Sequence, residues 1–266
     1  MRHSVLAKKA SLVGAFFVSA IWLAPAQALC KAPPGLEPVP VERVVDGDTV
    51  RLGDGRSVRL IGLNAPELAG RGRSEEPYAV KAKRRLQALI QASDQRVMVR
   101  LGAQSKDRYG RTLAHLYDIR GANLEARLLA EGLGYFVAVA PNTALVDCHR
   151  QAESQARQQR LGVWSKGVPR PAHGPQTPGF SLLRGRVSAL QDNRGGLWLT
   201  LADDVVLQVS PALRQHFDLA ALKALRGREI EVRGWLVDRR ARGSLKPGYA
   251  RWMLPLTDPA MIESLP

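Results

Sequence analysis

The sequence predicts a mainly β fold with helices, built as two small β-barrels in series. Three observations carry this expectation. Short alternating apolar runs recur over residues 41–63 and again over 97–117, the period-two signature of half-buried strands. Residues 165–179 hold Pro169, Pro171, Pro175 and Pro178 with three glycines, a composition that keeps a chain extended and marks a boundary. Beyond that stretch the strand pattern begins again.

Taken in order, residues 1–28 read as a secretory signal. Arg2, Lys8 and Lys9 precede an apolar run at 10–23, and Ala26-Gln27-Ala28 supplies small residues for cleavage. The run has 14 residues, fewer than the roughly 20 that a spanning helix needs. Export to the periplasm or the exterior is therefore expected, with no membrane span after cleavage. Leu29 before Cys30 makes a lipid-modified cysteine the weaker option. Runs at 41–45, 49–52 and 57–63 then form a meander, with Gly53-Asp54-Gly55-Arg56 as a tight turn. A helix follows, because Ala82, Leu86, Leu89 and Ile90 fall on one face. Strands are expected at 97–101 and 112–117, a helix at 124–131 stopped by Gly132, and another over 144–160 with Leu145, Cys148, Ala152 and Ala156 on one side.

Five strands with a helix after the third describe a closed barrel of the oligonucleotide-binding (OB) type. Its domain is expected at 29–165, followed by a Pro/Gly-rich linker at 166–179. A second, OB-like barrel is expected at 180–266, with strands near 185–190, 197–201, 205–209, 229–237 and 251–256 and a helix within 211–225. The halves share no readable sequence repeat.

Without residues 1–28 the chain carries 36 Lys and Arg against 24 Asp and Glu, near +12. That balance favours polyanionic partners through counterion release. Charge alone does not separate nucleic acid from envelope polyanions. Cys30 and Cys148 are the only cysteines; an oxidising compartment lets them pair, and two buried thiols are the alternative.

Three segments hold the chemistry: Val45-Asp46-Gly47-Asp48-Thr49-Val50, Arg59-Leu60-Ile61-Gly62-Leu63-Asn64-Ala65-Pro66-Glu67, and Asp107-Arg108-Tyr109-Gly110-Arg111. Phosphodiester hydrolysis needs fixed positive donors, a group to prepare water, and usually a metal. Arg59 and Arg111 offer planar forks for phosphate oxygens. Asp48, Asn64 and the Ala65 carbonyl offer hard oxygen ligands for calcium or magnesium. Glu67 is left to position or deprotonate water.

These segments, together with Glu131-Gly132-Leu133 and Leu161-Gly162-Val163-Trp164, resemble the staphylococcal nuclease (thermonuclease) family over residues 41–164. The resemblance implies an OB-fold barrel of the staphylococcal nuclease type and an endonuclease acting on DNA and RNA with little sequence preference, leaving 3′-phosphates. It also implies one divalent metal, calcium foremost, held by Asp48, Asn64 and Ala65. Arg59 would contact the scissile phosphate, Glu67 would act as general base and Arg111 would stabilise the transition state. Arg108 and Tyr109 would touch a terminal phosphate. Two departures stand out. Asn64 replaces a metal-binding aspartate, and Ala138 and Ala140 stand where the family carries tyrosines that line the nucleotide pocket.

No small-molecule cofactor is expected, and the chain is expected to be a monomer. His115 and His149 lack partners at ligand spacing and are expected to be structural. Trp198, Trp235 and Trp252 suit either a core or base stacking. Arg226, Arg228, Arg233, Arg239, Arg240 and Arg242 form a basic stretch that suits either phosphate contact or a solvated face; on the first reading the second half is expected to tether substrate without doing chemistry. Two other functions stay open: a non-catalytic nucleic-acid-binding protein and an envelope scaffold.

Overall fold

The protein is described by a computed structural model covering residues 30–265, except positions 71, 73, 166, 203, 244, 246 and 247. The expected signal at 1–28 lies outside the described residues. Strands β1 (Pro38–Val44), β2 (Thr49–Leu52) and β3 (Ser57–Leu60) bury their alternate apolar residues, among them Val41, Val50, Leu52, Val58 and Leu60. The strand expected to run to Leu63 instead breaks at Gly62, whose φ of 85° lies in the left-handed region that glycine tolerates. The chain leaves the barrel there as β4 (Leu63–Asn64) and returns after helix α1 (Ala79–Gln91), whose predicted face is buried. Strands β5 (Arg96–Lys106) and β6 (Thr112–Tyr117) then close the barrel in the order β1-β2-β3-β6-β5. β5 runs five residues past the expected end at Leu101. Its distal half is largely exposed, so it carries no apolar alternation to betray it.

Helix α2 (Leu124–Ala130) starts at Asn123, whose side chain accepts a hydrogen bond from Ala126 N. Then come β7 (Tyr135–Phe136), paired with β4, and α3 (Val146–Gln158). Cys30 and Cys148 are joined by a disulfide across a sequence separation of 118; closing a loop of that size removes chain entropy worth about 5 kcal/mol in the unfolded state. His115 and His149 are both buried core residues. His149 Nε2 lies 3.0 Å from Asn123 Oδ1, and burial, helped by the neighbouring His115, pulls its pKa down to about 3. It stays neutral.

The second half begins earlier than its first long strand. The stretch 166–179, expected as bare linker, contributes β8 (Arg170–Pro171), which pairs in parallel with β9 (Gly179–Arg186), and it buries Ala172. β10 (Ala189–Asn193), β11 (Gly196–Ala202) and β12 (Val205–Val209) follow. The helix expected within 211–225 is a 3-10 turn at Pro211–His216 and a short α4 (Leu219–Ala224). β13 (Glu229–Asp238), β14 (Trp252–Pro255) and β15 (Ile262–Ser264) complete the chain. The sheet order is β10-β11-β12-β14-β13-β9-β8, with β15 against β13. β10 and β9 are separated in sequence only by Val187-Ser188, so the sheet curls. Its helix after the third strand and its parallel β12–β14 pair repeat the plan of the first barrel.

The two halves are not tethered bodies. They share one apolar core, and charges are buried between them. Arg233 donates to both Glu153 oxygens, at 2.8 and 2.6 Å, and to the Phe136 carbonyl at 3.2 Å. Glu231 accepts from Arg157 and Arg184. Tyr135 packs on Phe180 with ring centroids 5.2 Å apart, and Thr257 Oγ1 donates to the Ala138 carbonyl at 2.5 Å. The stretch 166–179 therefore joins two halves that pack on each other. Arg233 also leaves the predicted phosphate-contacting stretch, because it is buried in this interface. Among the described residues no helix is long and apolar enough to cross a membrane.

Removing one partner of a buried pair strands the other charge, at a cost of about 3–5 kcal/mol. Arg233→Ala should therefore lower unfolding stability by that amount in urea denaturation. A variant with the wild-type midpoint would mean that the ion pair does not join the halves.

Candidate active site

The turn between β1 and β2 is set by Asp46, whose Oδ1 accepts from Asp48 N at 3.0 Å. Gly47 sits where nothing larger fits. A Cβ there would lie 2.6 Å from Ala65 Cβ and 2.8 Å from Ala82 Cβ, so the turn packs directly on α1 and on the strand exit at Ala65. This contact presses Asp48 into place: its Oδ2 accepts from Ala65 N at 2.7 Å and its Oδ1 from Thr49 Oγ1 at 3.2 Å. Asp48 is 6% exposed.

Arg59 stands opposite Thr49 on β3. Its guanidinium bridges the two side chains expected to hold a metal, with one terminal nitrogen on Asp48 and Nη2 donating to Asn64 Oδ1 at 3.2 Å. Burial, and then the charge of Arg111, lower its pKa to about 10, while Asp46, Glu67 and Asp107 pull it back up. Arg59 stays charged at neutral pH. Through Asp48 and Asn64 the first two sequence segments meet on this guanidinium, and the pairing of β3 with β6 brings the third beside them. Burial likewise raises the Asp46 carboxyl, against the pull of Arg59, Thr49 and Arg111.

The two arginines meet because β3 and β6 run in parallel. Val58 and Leu60 face Thr112 and Ala114 in the barrel interior, and Arg59 faces Leu113 on the outside. Arg111, two residues before Leu113, therefore lies on the same outer face, about 7 Å along the strand. The loop before it is tied by Asp107, whose Oδ1 accepts from Tyr109 N and Arg111 N, both at 2.9 Å, with Gly110 at φ 80°. Asp107 Oδ2 accepts from Arg111 Nε at 2.7 Å, which leaves the terminal nitrogens of the fork outside that bond. Burial opposes the Asp107 charge, but these hydrogen bonds outweigh it and hold the carboxyl below its usual range. Tyr109 is 68% exposed, with Arg108 Nη2 donating to its hydroxyl at 2.6 Å.

Glu67 is exposed on the loop after Pro66. Glu76 clasps its backbone: Glu67 N donates to Glu76 Oε2, and Glu76 N to the Glu67 carbonyl, both at 2.9 Å. Among the described residues the Glu67 carboxylate has neither a hydrogen bond nor an ion pair. Sequence reading named Arg59, Glu67, Arg111, Asp48, Asn64 and Ala65 but passed over Asp46, Asp107 and Glu76. The first two lay inside the segments already singled out, whereas Glu76 carried no signal. Ala138 is buried beneath Met261, whose sulfur accepts from Ala138 N at 3.1 Å. The second half thus packs beside the place where base-lining tyrosines were missed.

The donor set fits a hard cation. Asp48 and Asn64 already converge on one cationic group, the Arg59 guanidinium, and the Ala65 carbonyl is the third candidate oxygen. Oxygen ligands completed by water suit calcium or magnesium.

A family model described as "Staphylococcal nuclease homologue" matches residues 57–166. The chain is similar to the thermonuclease of Staphylococcus intermedius, with 31% identity over 129 residues, 47% of this chain and 75% of that protein. The thermonuclease of Staphylococcus hyicus is 33% identical over 132 residues, 47% of this chain and 74% of that protein. The SPbeta prophage-derived endonuclease YokF of Bacillus subtilis is 32% identical over 132 residues, and the chain spans only 44% of its length.

Overpacking costs about 1–3 kcal/mol where backbone and side chains must shift. Gly47→Ala should destabilise the protein by that amount in chemical denaturation, since the two atoms an added Cβ would meet first are the Cβ atoms of the buried Ala65 and Ala82. An unchanged midpoint would show that the metal-side turn is not held by this contact.

Proposed function

Because this chain belongs to the staphylococcal nuclease family, we propose that it is a metal-dependent endonuclease hydrolysing the phosphodiester bonds of DNA and RNA with little sequence preference, leaving 3′-phosphates. The observation that carries this reading is the pair Arg59 and Arg111 brought side by side by the parallel β3–β6 pairing, with Glu67 exposed on the adjoining loop and, among the described residues, without a partner for its carboxylate. Hydrolysis drives negative charge onto the phosphoryl oxygens, and two preoriented guanidinium forks oppose it where it develops. Arg111 is held by Asp107 through Nε and turns its terminal nitrogens to phosphate. Arg59 must release Asp48 and Asn64 to do the same. Glu67 takes the proton of the attacking water. Arginines directed at the backbone read no bases, which accounts for low sequence preference.

Asp48, Asn64 and the Ala65 carbonyl would hold one divalent cation, calcium foremost. Bound there, it would neutralise phosphate charge and ease deprotonation of water. Asn64 keeps an oxygen but drops a charge, so affinity for calcium is lower than an aspartate would give. Arg108 and Tyr109, on the exposed loop, would contact a terminal phosphate. The signal-like segment and the Cys30–Cys148 bridge support an exported protein. The second reading, binding without hydrolysis, is favoured only by Asn64.

Nicking of supercoiled plasmid in calcium, then with chelator, tests the reading. Cleavage that chelator abolishes is expected; no cleavage in calcium would leave binding without hydrolysis. Arg59→Lys and Arg111→Lys should each fold and lose about 100-fold or more in turnover, because a point charge replaces a fork at the transition state. A near-normal rate in either would remove that arginine from the chemistry. Asn64→Asp should lower the calcium concentration for half-maximal activity about tenfold, roughly 1.4 kcal/mol. An unshifted titration would mean that Asn64 does not ligate the ion.

A further inference from the structure

We propose that the outer face of the C-terminal sheet binds single-stranded nucleic acid, stacking bases on Trp198 and Tyr249 around the guanidinium of Arg239. On β11 and β12 the residues Leu197, Leu199, Leu201, Val205, Leu207 and Val209 are buried inward. Trp198 and its partner Gln208 therefore face out. The Arg239 guanidinium carbon lies 5.6 Å from the Trp198 ring centroid and 5.4 Å from that of Tyr249. Its Nη1 is pinned to the Ala250 carbonyl at 2.9 Å, and Trp198 Nε1 to Asn193 Oδ1 at 3.1 Å.

This arginine differs from Arg251 and Arg214. Arg251 is paired with Asp238 and Arg214 with Asp192, whereas among the described residues no carboxylate lies within ion-pair distance of Arg239. Tyr249 is 57% exposed. A guanidinium set between two aromatic rings at the surface offers both stacking for bases and attraction for phosphates. Its position agrees: the second and third strands of such a barrel, with the loops joining strands one to two and four to five, form the face that takes oligonucleotides. Trp198 and Gln208 lie on those strands, and Arg239 and Tyr249 on the β13–β14 connection. Duplex bases are stacked on one another and hide their faces, so the chemistry selects single strands.

The face also leads toward the catalytic half. Trp198 pairs with Gln208 and Gln208 with Pro255, a row crossing two strand gaps, about 10 Å. Thr257, next on that side, is bonded to both Ala138 and Ala140, which follow β7, the partner of the strand carrying Asn64. The face that carries Trp198 thus ends on the half that carries Arg59 and Arg111. The choice of a nucleic acid as the polyanion rests on the nuclease reading above.

The test is fluorescence anisotropy of the full chain with a labelled oligothymidylate of about 20 nucleotides, longer than a single barrel's site, and with a duplex of equal length, both in chelator. Tyr249→Ala and Trp198→Ala should each weaken single-strand binding about tenfold, within the range for one stacked base. Tyr249→Phe should bind as wild type, and duplex binding should not change. Arg239→Ala should lower the salt slope on the single strand by about 0.7, the value for one phosphate contact. Equal losses on duplex and single strand, or no loss in Tyr249→Ala, whose side chain is exposed and not needed for folding, would overturn the proposal. Cleavage of a dinucleotide substrate by Tyr249→Ala should match wild type. If wild type cleaves nothing, the nuclease reading fails while anisotropy still decides the surface.

Discussion

The parallel pairing of β3 with β6 is the constraint on which the site depends. A barrel of five strands closed in the order β1-β2-β3-β6-β5 requires one pair to run in the same direction, and parallel neighbours need a long crossover between them. The crossover here contains the Glu67 loop and α1. Because β3 and β6 are in register with Arg59 beside Leu113, Arg59 on β3 has as its neighbour the residue just before β6, Arg111. Asp107 fixes that loop end through the backbone N–H and Nε of Arg111, so the second arginine is held by hydrogen bonds where the first is held by the strand.

Around these arginines the charges are balanced locally. Asp48 and Asn64 hold Arg59, Asp107 holds Arg111, and Asp46 lies near enough to act on both. Two like charges this close, one of them buried, repel, and the lowered pKa of Arg59 records both burial and that repulsion. The carboxylates offset it. Glu67 is the exception, since its backbone is clasped by Glu76 while its side chain stays open. The same oxygens that steady Arg59 are the ones proposed for the cation, so under that proposal cation binding and release of Arg59 toward phosphate would be linked through Asp48.

The second half is coupled to this arrangement through β7. Asn64 pairs with Tyr135 across β4 and β7, Tyr135 stacks on Phe180, and the next residue, Phe136, gives its N–H to Glu153 and accepts from Arg233. Packing therefore runs without a break from a candidate metal ligand to the C-terminal sheet. Breaking a buried ion pair is costly because each charge has lost its water, and this is a stronger joint than a linker provides. Met261 and Thr257 hold Ala138 in the same way.

Much of this protein was legible in the sequence because the signals are local. Alternation over residues 41–60, the apolar face of α1 and the three segments around Asp48, Arg59 and Arg111 each depend on neighbours within a few residues. The candidate site residues stood out in the same way, by side-chain type within those segments. The distal half of β5 was not, since exposed ladder residues need no apolar pattern. The break at Gly62 was not either, because a single glycine inside a strand-like run does not say where the chain will go next. Arg233 looks like Arg239 in sequence. Only tertiary packing buries one against Glu153 and leaves the other between two aromatic rings at the surface. The roles of Asp46, Asp107 and Glu76 as supports were likewise decided in three dimensions, because hydrogen bonding depends on distances that the folded barrel sets.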